Sequence, residues 1–163
     1  MTMPKNRVCL WFDGQIGEAA RFYCEAFPDT RIESQSAAPS DNPSSKEGDP
    51  LTVEMTIMGI PTLLLNGGPA FPQSEAFSFQ VITEDQAETD RLWDAIVGNG
   101  GAESQCGWCK DRWGLSWQIT PRVLAESMVD PDRNAARRAS EAMLTMKKID
   151  IAAIEAARAG APA

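Results

Sequence analysis

A chain of 163 residues, 43% hydrophobic and 23% charged, has the composition of one globular domain or of two small modules sharing a core. Its 23 acidic against 15 basic side chains give a formal net charge of −8, which repels phosphate backbones and anionic lipid and so argues against nucleic-acid and membrane partners. It has no histidine, so the commonest general base near neutral pH and the commonest metal ligand are both missing, and catalysis would fall to carboxylates, cysteines, one tyrosine or bound water.

The N-terminus carries no long apolar run, which predicts neither a signal peptide nor a membrane span, and hence a cytoplasmic protein with its four cysteines reduced. "RVCLWF" (7–12) alternates, with Val8, Leu10 and Phe12 on one face, and predicts a strand. "GQIGEAARFYCEAF" places Ile16, Ala19, Ala20, Tyr23 and Phe27 at helical spacing, and Pro28 ends the helix. "TRIESQSA" predicts a second strand, and "PSDNPSSKEGDP" a mobile polar loop. "LTVEMTIM" sets Leu51, Val53, Met55 and Ile57 against Thr52, Glu54 and Thr56, and after a turn at Gly59 "PTLLLN" gives a fourth strand.

The pattern then restarts. "FSFQVI" is a strand, and "TEDQAETDRLWDAIVGNGG" a helix with Thr83 as N-cap and Leu92, Trp93 and Ile96 on its stripe. "AESQ", "WCKD" and "LSWQIT" follow as three short strands. The order β-α-β-β-β therefore occurs twice, at 7–66 and 77–120, within a duplicated domain over 1–120. The expected class is α+β: tandem modules forming a cupped, eight-stranded mixed sheet, with a C-terminal helical tail over 121–163. The tail reads as three helical pieces, two opened by Asp caps. Met128, Met143, Met146 and Ile149 have no strand partner there, so the tail must cover the sheet edge, a pocket mouth or another subunit, and a homodimer is expected.

The duplicated order, together with "FDGQIGEAARFYCEAFPDTRI", "LLLNGGPAF", "SFQVITEDQAETDRLWDAI", "GGAESQCGWCKDRWGLSWQITP" and "MLTMKKIDIAAIEAA", resembles the PhnB-like branch of the vicinal oxygen chelate superfamily, which includes glyoxalase I and the bleomycin-resistance proteins. Members of this branch often carry the label 3-demethylubiquinone-9 3-methyltransferase. A methyltransferase needs a glycine-rich turn from strand to helix for its nucleotide-like cofactor, and neither Gly67–Gly68 nor Gly100–Gly101 opens a helix after a strand.

The resemblance implies a divalent metal held on the first and last strands of each module. Alternation puts Arg7, Cys9 and Trp11 on the concave face of the first strand, Leu64 and Asn66 on the fourth, Ser78 and Gln80 on the fifth, and Ser116, Gln118 and Thr120 on the eighth. Thiol, leucine, hydroxyl and amide would repay little of a dication's lost hydration, so neither a metal nor another cofactor is expected. The candidate ligand-binding residues are Trp11, Glu54, Asn66, Ser78, Gln80 and Gln118. Glu54, with no obvious cation near it, and Cys9 are weak candidates for a general base. The expected partner is a small organic molecule bound in the cup. The alternative is a metal-independent lyase, isomerase or hydrolase using Glu54 or Cys9.

"CGWC" (106–109) has the spacing of a redox dithiol, but no helix begins there to lower a thiol pKa. Two further ligands for zinc could come only from Cys9 and Cys24, on opposite sides of a sheet. Two packed thiols in a hairpin is the expectation.

Overall fold

The computed structural model describes residues 3–161. The chain divides into two compact units, Met1–Gln73 and Ser74–Ala163. Among the described residues no helix is long and apolar enough to cross a membrane.

The first unit runs β1 (Val8–Phe12), α1 (Ile16–Ala26), β2 (Arg31–Ala37), β3 (Pro50–Ile57) and β4 (Ile60–Asn66). Its sheet has the order β1-β4-β3-β2, with β1 parallel to β4 and the other pairs antiparallel. Strict alternation on β1 and β3 turns Leu10, Phe12, Val53, Met55 and Ile57 to one face, where the stripe Ile16, Ala19, Ala20 and Tyr23 of α1 buries them. Met58 and Gly59, both at positive φ, close the β3–β4 hairpin in two residues.

The segment 38–49 is a hydrogen-bonded turn instead of an open loop. The Asn42 side-chain oxygen accepts from the Ser44 and Ser45 amides, and the Asp41 carboxylate from the Glu47 amide. Asn and Asp side chains can imitate a backbone turn, and here they stabilise a segment whose composition predicts mobility.

The second unit repeats the order with shorter strands: β5 (Ser78–Thr83), α2 (Gln86–Gly98), β6 (Ala102–Glu103), β7 (Trp108–Lys110) and β8 (Ser116–Pro121), in the order β5-β8-β7-β6. The eight strands thus form two four-stranded mixed ladders. Thr83 does not cap α2; it ends β5 and hydrogen-bonds Thr89 at 2.7 Å, while Asp85 caps the helix by accepting from the Glu88 amide.

Three helices follow: α3 (Arg122–Met128), α4 (Arg133–Met143) and α5 (Ile151–Ala159). Asp132 and Asp150 cap α4 and α5, as the sequence predicts for two of the pieces. Leu124, Ala139, Ile149 and Ile154 form a small core of their own, with Met128, Met143 and Met146 packed against it. Those three methionines and Ile149 thus pack within this unit, while Val129 and Leu144 of the same tail stay exposed.

Two devices fasten the tail. The Gln86 side chain donates to the Ile149 carbonyl and accepts from the Ile151 amide. The amides of Cys106 and Gly107, successive residues at φ 57° and 82°, donate to the carbonyls of Met146 and Lys147. A Cβ on Gly107 would lie 2.9 Å from the Ile119 carbonyl oxygen and 3.1 Å from Ile149 Cγ1. The first two residues of "CGWC" are therefore the tail's docking point. Cys109 is buried on β7, and burial, helped by nearby Asp111, pushes its thiol up to about 12. All four cysteines are free.

Candidate functional site

The face of the first sheet opposite α1 is set by register. Arg7, Cys9 and Trp11 share the parity of Leu63 and Leu65 on β4, and through them of Thr52, Glu54 and Thr56 on β3. Asn66, expected on this face, lies on the other: it pairs with Phe12, as Leu64 pairs with buried Leu10. Its side-chain oxygen accepts from the Gly14 amide at 3.0 Å and its nitrogen donates to the Pro50 carbonyl at 3.0 Å. Asn66 thus braces the turn into α1 and does not join Glu54.

Glu54 is not without a cation. Arg7 reaches over β4 and places Nη1 2.9 Å from Glu54 Oε1. Beside them Arg31 Nε lies 2.8 Å from Glu33 Oε1, which also accepts from the Thr56 hydroxyl at 2.9 Å. Both pairs line a cavity of about 470 Å³ with apolar walls from Met3, Pro4 and Pro61. Neither Cys9 nor Trp11 lines it. Burial pushes the Cys9 thiol up against the opposing effect of the Arg7 guanidinium.

Trp11 is half-buried and held from two sides. Its indole nitrogen donates to the Gly68 carbonyl at 2.7 Å, and Phe71 meets the ring edge-on at a centroid distance of 5.0 Å. A Cβ on Gly67 would fall 2.2 Å from the indole, so "NGGPAF" reads as a loop shaped to carry this ring.

In the second unit, register places Ser78, Gln80, Ser116, Gln118 and Thr120 on one face, as alternation predicts. Gln118 Nε2 donates to the Ser78 hydroxyl at 2.9 Å, and Gln80 Nε2 reaches Gln118 Oε1 at 3.3 Å. Ser116 Oγ is buried with no hydrogen-bond partner among the described residues. Strand alternation places Ser78, Gln80 and Gln118 on this shared face, and the structure has them there. Strand alternation does not reveal the Arg7–Glu54 pair, whereas Arg31 and Glu33, opposite charges two residues apart in a strand, are a usable signal for the second pair.

The metal implied by the resemblance does not fit these residues. Among the described residues no group of three or more His, Cys, Asp or Glu could hold an ion. On the strand faces the other donors are a thiol, hydroxyls and neutral amides, and the two carboxylates near them, Glu54 and Glu33, are each engaged by a guanidinium.

Residues 4–120 match the family model described as 3-demethylubiquinone-9 3-methyltransferase. No curated protein matches. Among solved structures, the PhnB protein from Bacillus cereus is 27% identical with a TM-score of 0.63, covering 72% of this chain and 99% of that one. Protein PA1353 from Pseudomonas aeruginosa, 19% identical, has a TM-score of 0.58 over 73% of this chain and 98% of that one. The fosfomycin resistance protein FosX from Mesorhizobium loti, 14% identical, has a TM-score of 0.55 over 80% of this chain and all of that one (100%).

Proposed function

The chain belongs to the family described as 3-demethylubiquinone-9 3-methyltransferase, the PhnB-like branch of the vicinal oxygen chelate superfamily, and from that premise we propose that it binds a small organic molecule without a metal. The observation that carries the reading is the cavity of about 470 Å³ on the open face of the first sheet, a volume within the range of small-molecule sites. Its lining combines apolar walls with a few fixed charges, the usual make-up of such a site. Trp11, and Ser78, Gln80 and Gln118 of the second unit, are further candidates for ligand contact.

The methyltransferase description gains no support from the glycines. Gly67–Gly68 follows β4 but opens no helix, and Gly100–Gly101 leads from α2 into β6. The metal-independent lyase, isomerase or hydrolase reading is the less favoured, because Glu54 is engaged by Arg7.

Native mass spectrometry of the purified protein, paired with elemental analysis, tests the proposal. A co-purifying organic mass without stoichiometric zinc, nickel or iron is the expected result. A stoichiometric transition metal that survives dialysis overturns it.

A further inference from the structure

The cavity on the first sheet holds two guanidinium groups and two carboxylates, in pairs at 2.9 Å (Arg7–Glu54) and 2.8 Å (Arg31–Glu33). Thr56, which bonds Glu33, lies two residues from Glu54 on β3, so the pairs stand side by side at a spacing of about 7 Å. Three of the four side chains keep little solvent exposure: Arg7 25%, Glu33 27% and Glu54 35%. Water therefore screens them less than it screens an ordinary surface pair.

Such a lining discriminates by charge pattern. A guanidinium has five N–H donors and a carboxylate two oxygens, so each pair keeps bonding capacity after its own contact is made. A ligand carboxylate seated on Arg7 also meets Glu54 at nearly the same distance, and the attraction is largely cancelled. A ligand ammonium on Glu54 meets Arg7 in the same way. A molecule carrying both charges on neighbouring atoms avoids this, since each charge faces its opposite and the four alternate in sign.

From this geometry we propose that the cavity takes a small zwitterion of the α-amino-acid class, its apolar side chain lying against Met3, Pro4 and Pro61. This rests on the small-molecule reading above and adds the class of ligand.

The test is calorimetric titration of the full chain with four matched probes: leucine, N-acetylleucine, leucinamide and N-acetylleucinamide. Leucine, with both charges, is expected to bind at least about tenfold more tightly than any of the other three. Arg7→Gln should move the preference to the cation leucinamide, and Glu54→Gln to the anion N-acetylleucine. A purely structural ion pair would not exchange selectivity in this way, and circular dichroism of both variants checks that they fold. Tightest binding of a singly charged or neutral probe, or no binding of leucine, overturns the zwitterion. If native mass spectrometry still finds a co-purifying organic molecule, the general reading survives that failure; if it finds none, both fall.

Discussion

The two units share one strand order and differ in almost everything laid upon it. In the first, β2, β3 and β4 are seven, eight and seven residues long, and α1 and the sheet close a core by themselves. In the second, β6 and β7 have two and three residues, and the missing contacts come from a helical tail with a core of its own. The open faces diverge as well: charged pairs on the first, amides and hydroxyls on the second. The repeat therefore duplicates a scaffold and not a chemistry, which is why a site rule carried from one half to the other fails.

The largest expected effect comes from removing the tail. Truncation after Pro121 should abolish hydrogen-exchange protection in β5–β8 and α2 and leave β1–β4 protected. Unchanged protection in the second unit would make the tail an appendage and erase the contrast. Gly107→Ala is the same experiment in one residue. Its positive φ should cost about 1–3 kcal/mol, and the approach to Ile119 and Ile149 adds to it. At Gly59, its counterpart in a tight turn of the first unit, the nearest atom to a Cβ is Asp29 Oδ2 at 3.4 Å. Equal urea midpoints for the two alanine variants would show that docking contributes nothing beyond φ strain.

The β-hairpins sharpen the contrast next. Where the first unit turns in two residues, the second uses Asp111, only 4% exposed, whose carboxylate accepts from the amides of Trp113 and Leu115 and from the Trp117 indole, each at 3.0 Å. Asp111→Ala leaves three donors unmet and should lower stability by about 3 kcal/mol. Asn66→Ala, at the partly exposed turn of the first unit, should lower it by about 1 kcal/mol and leave ligand binding intact. Denaturant titration ranks them, and a reversed order breaks the comparison.

The effect that is smallest near neutrality concerns pH. Cys109 has a thiol raised from the ordinary value of 9.0 to about 12, so the folded state keeps a proton that the unfolded chain gives up. Its contribution is complete below pH 9 and is lost as pH rises toward 12. Cys109→Val should flatten the fall of stability across that window, whereas identical slopes for the two proteins would remove burial as the cause.

How much of this was legible in the sequence follows from the strands themselves. On β3, β5 and β8 polar and apolar residues alternate, and parity alone assigns their faces. On β4 three leucines run together, Leu63, Leu64 and Leu65, and alternation has nothing to grip; Asn66 was consequently put on the wrong face. The Arg7–Glu54 pair spans 47 residues and depends on β4 lying between β1 and β3, an order that no local pattern encodes. Thr83 and Asp85 are both competent caps, and the strand's continuation to Thr83 decides between them. The tail's helices were legible from period and caps. Their docking depends on backbone amides at Cys106 and Gly107, which side-chain chemistry does not announce.

The Gln86 clasp has a consequence for how the molecule assembles. Its bonds to Ile149 and Ile151 join residues 63 and 65 positions apart, among the most distant partnerships in the second unit. Contacts of that span incur loop-closure entropy before they stabilise anything, and they slow the search for the native state. Translation proceeds from the N-terminus, so all the strands and the helix of the first unit have emerged once Gln73 has. The second must wait with α2 and the face around Ile119 uncovered until residue 151 arrives. During that interval the nascent chain leaves this apolar surface uncovered, and chaperone demand should be concentrated there.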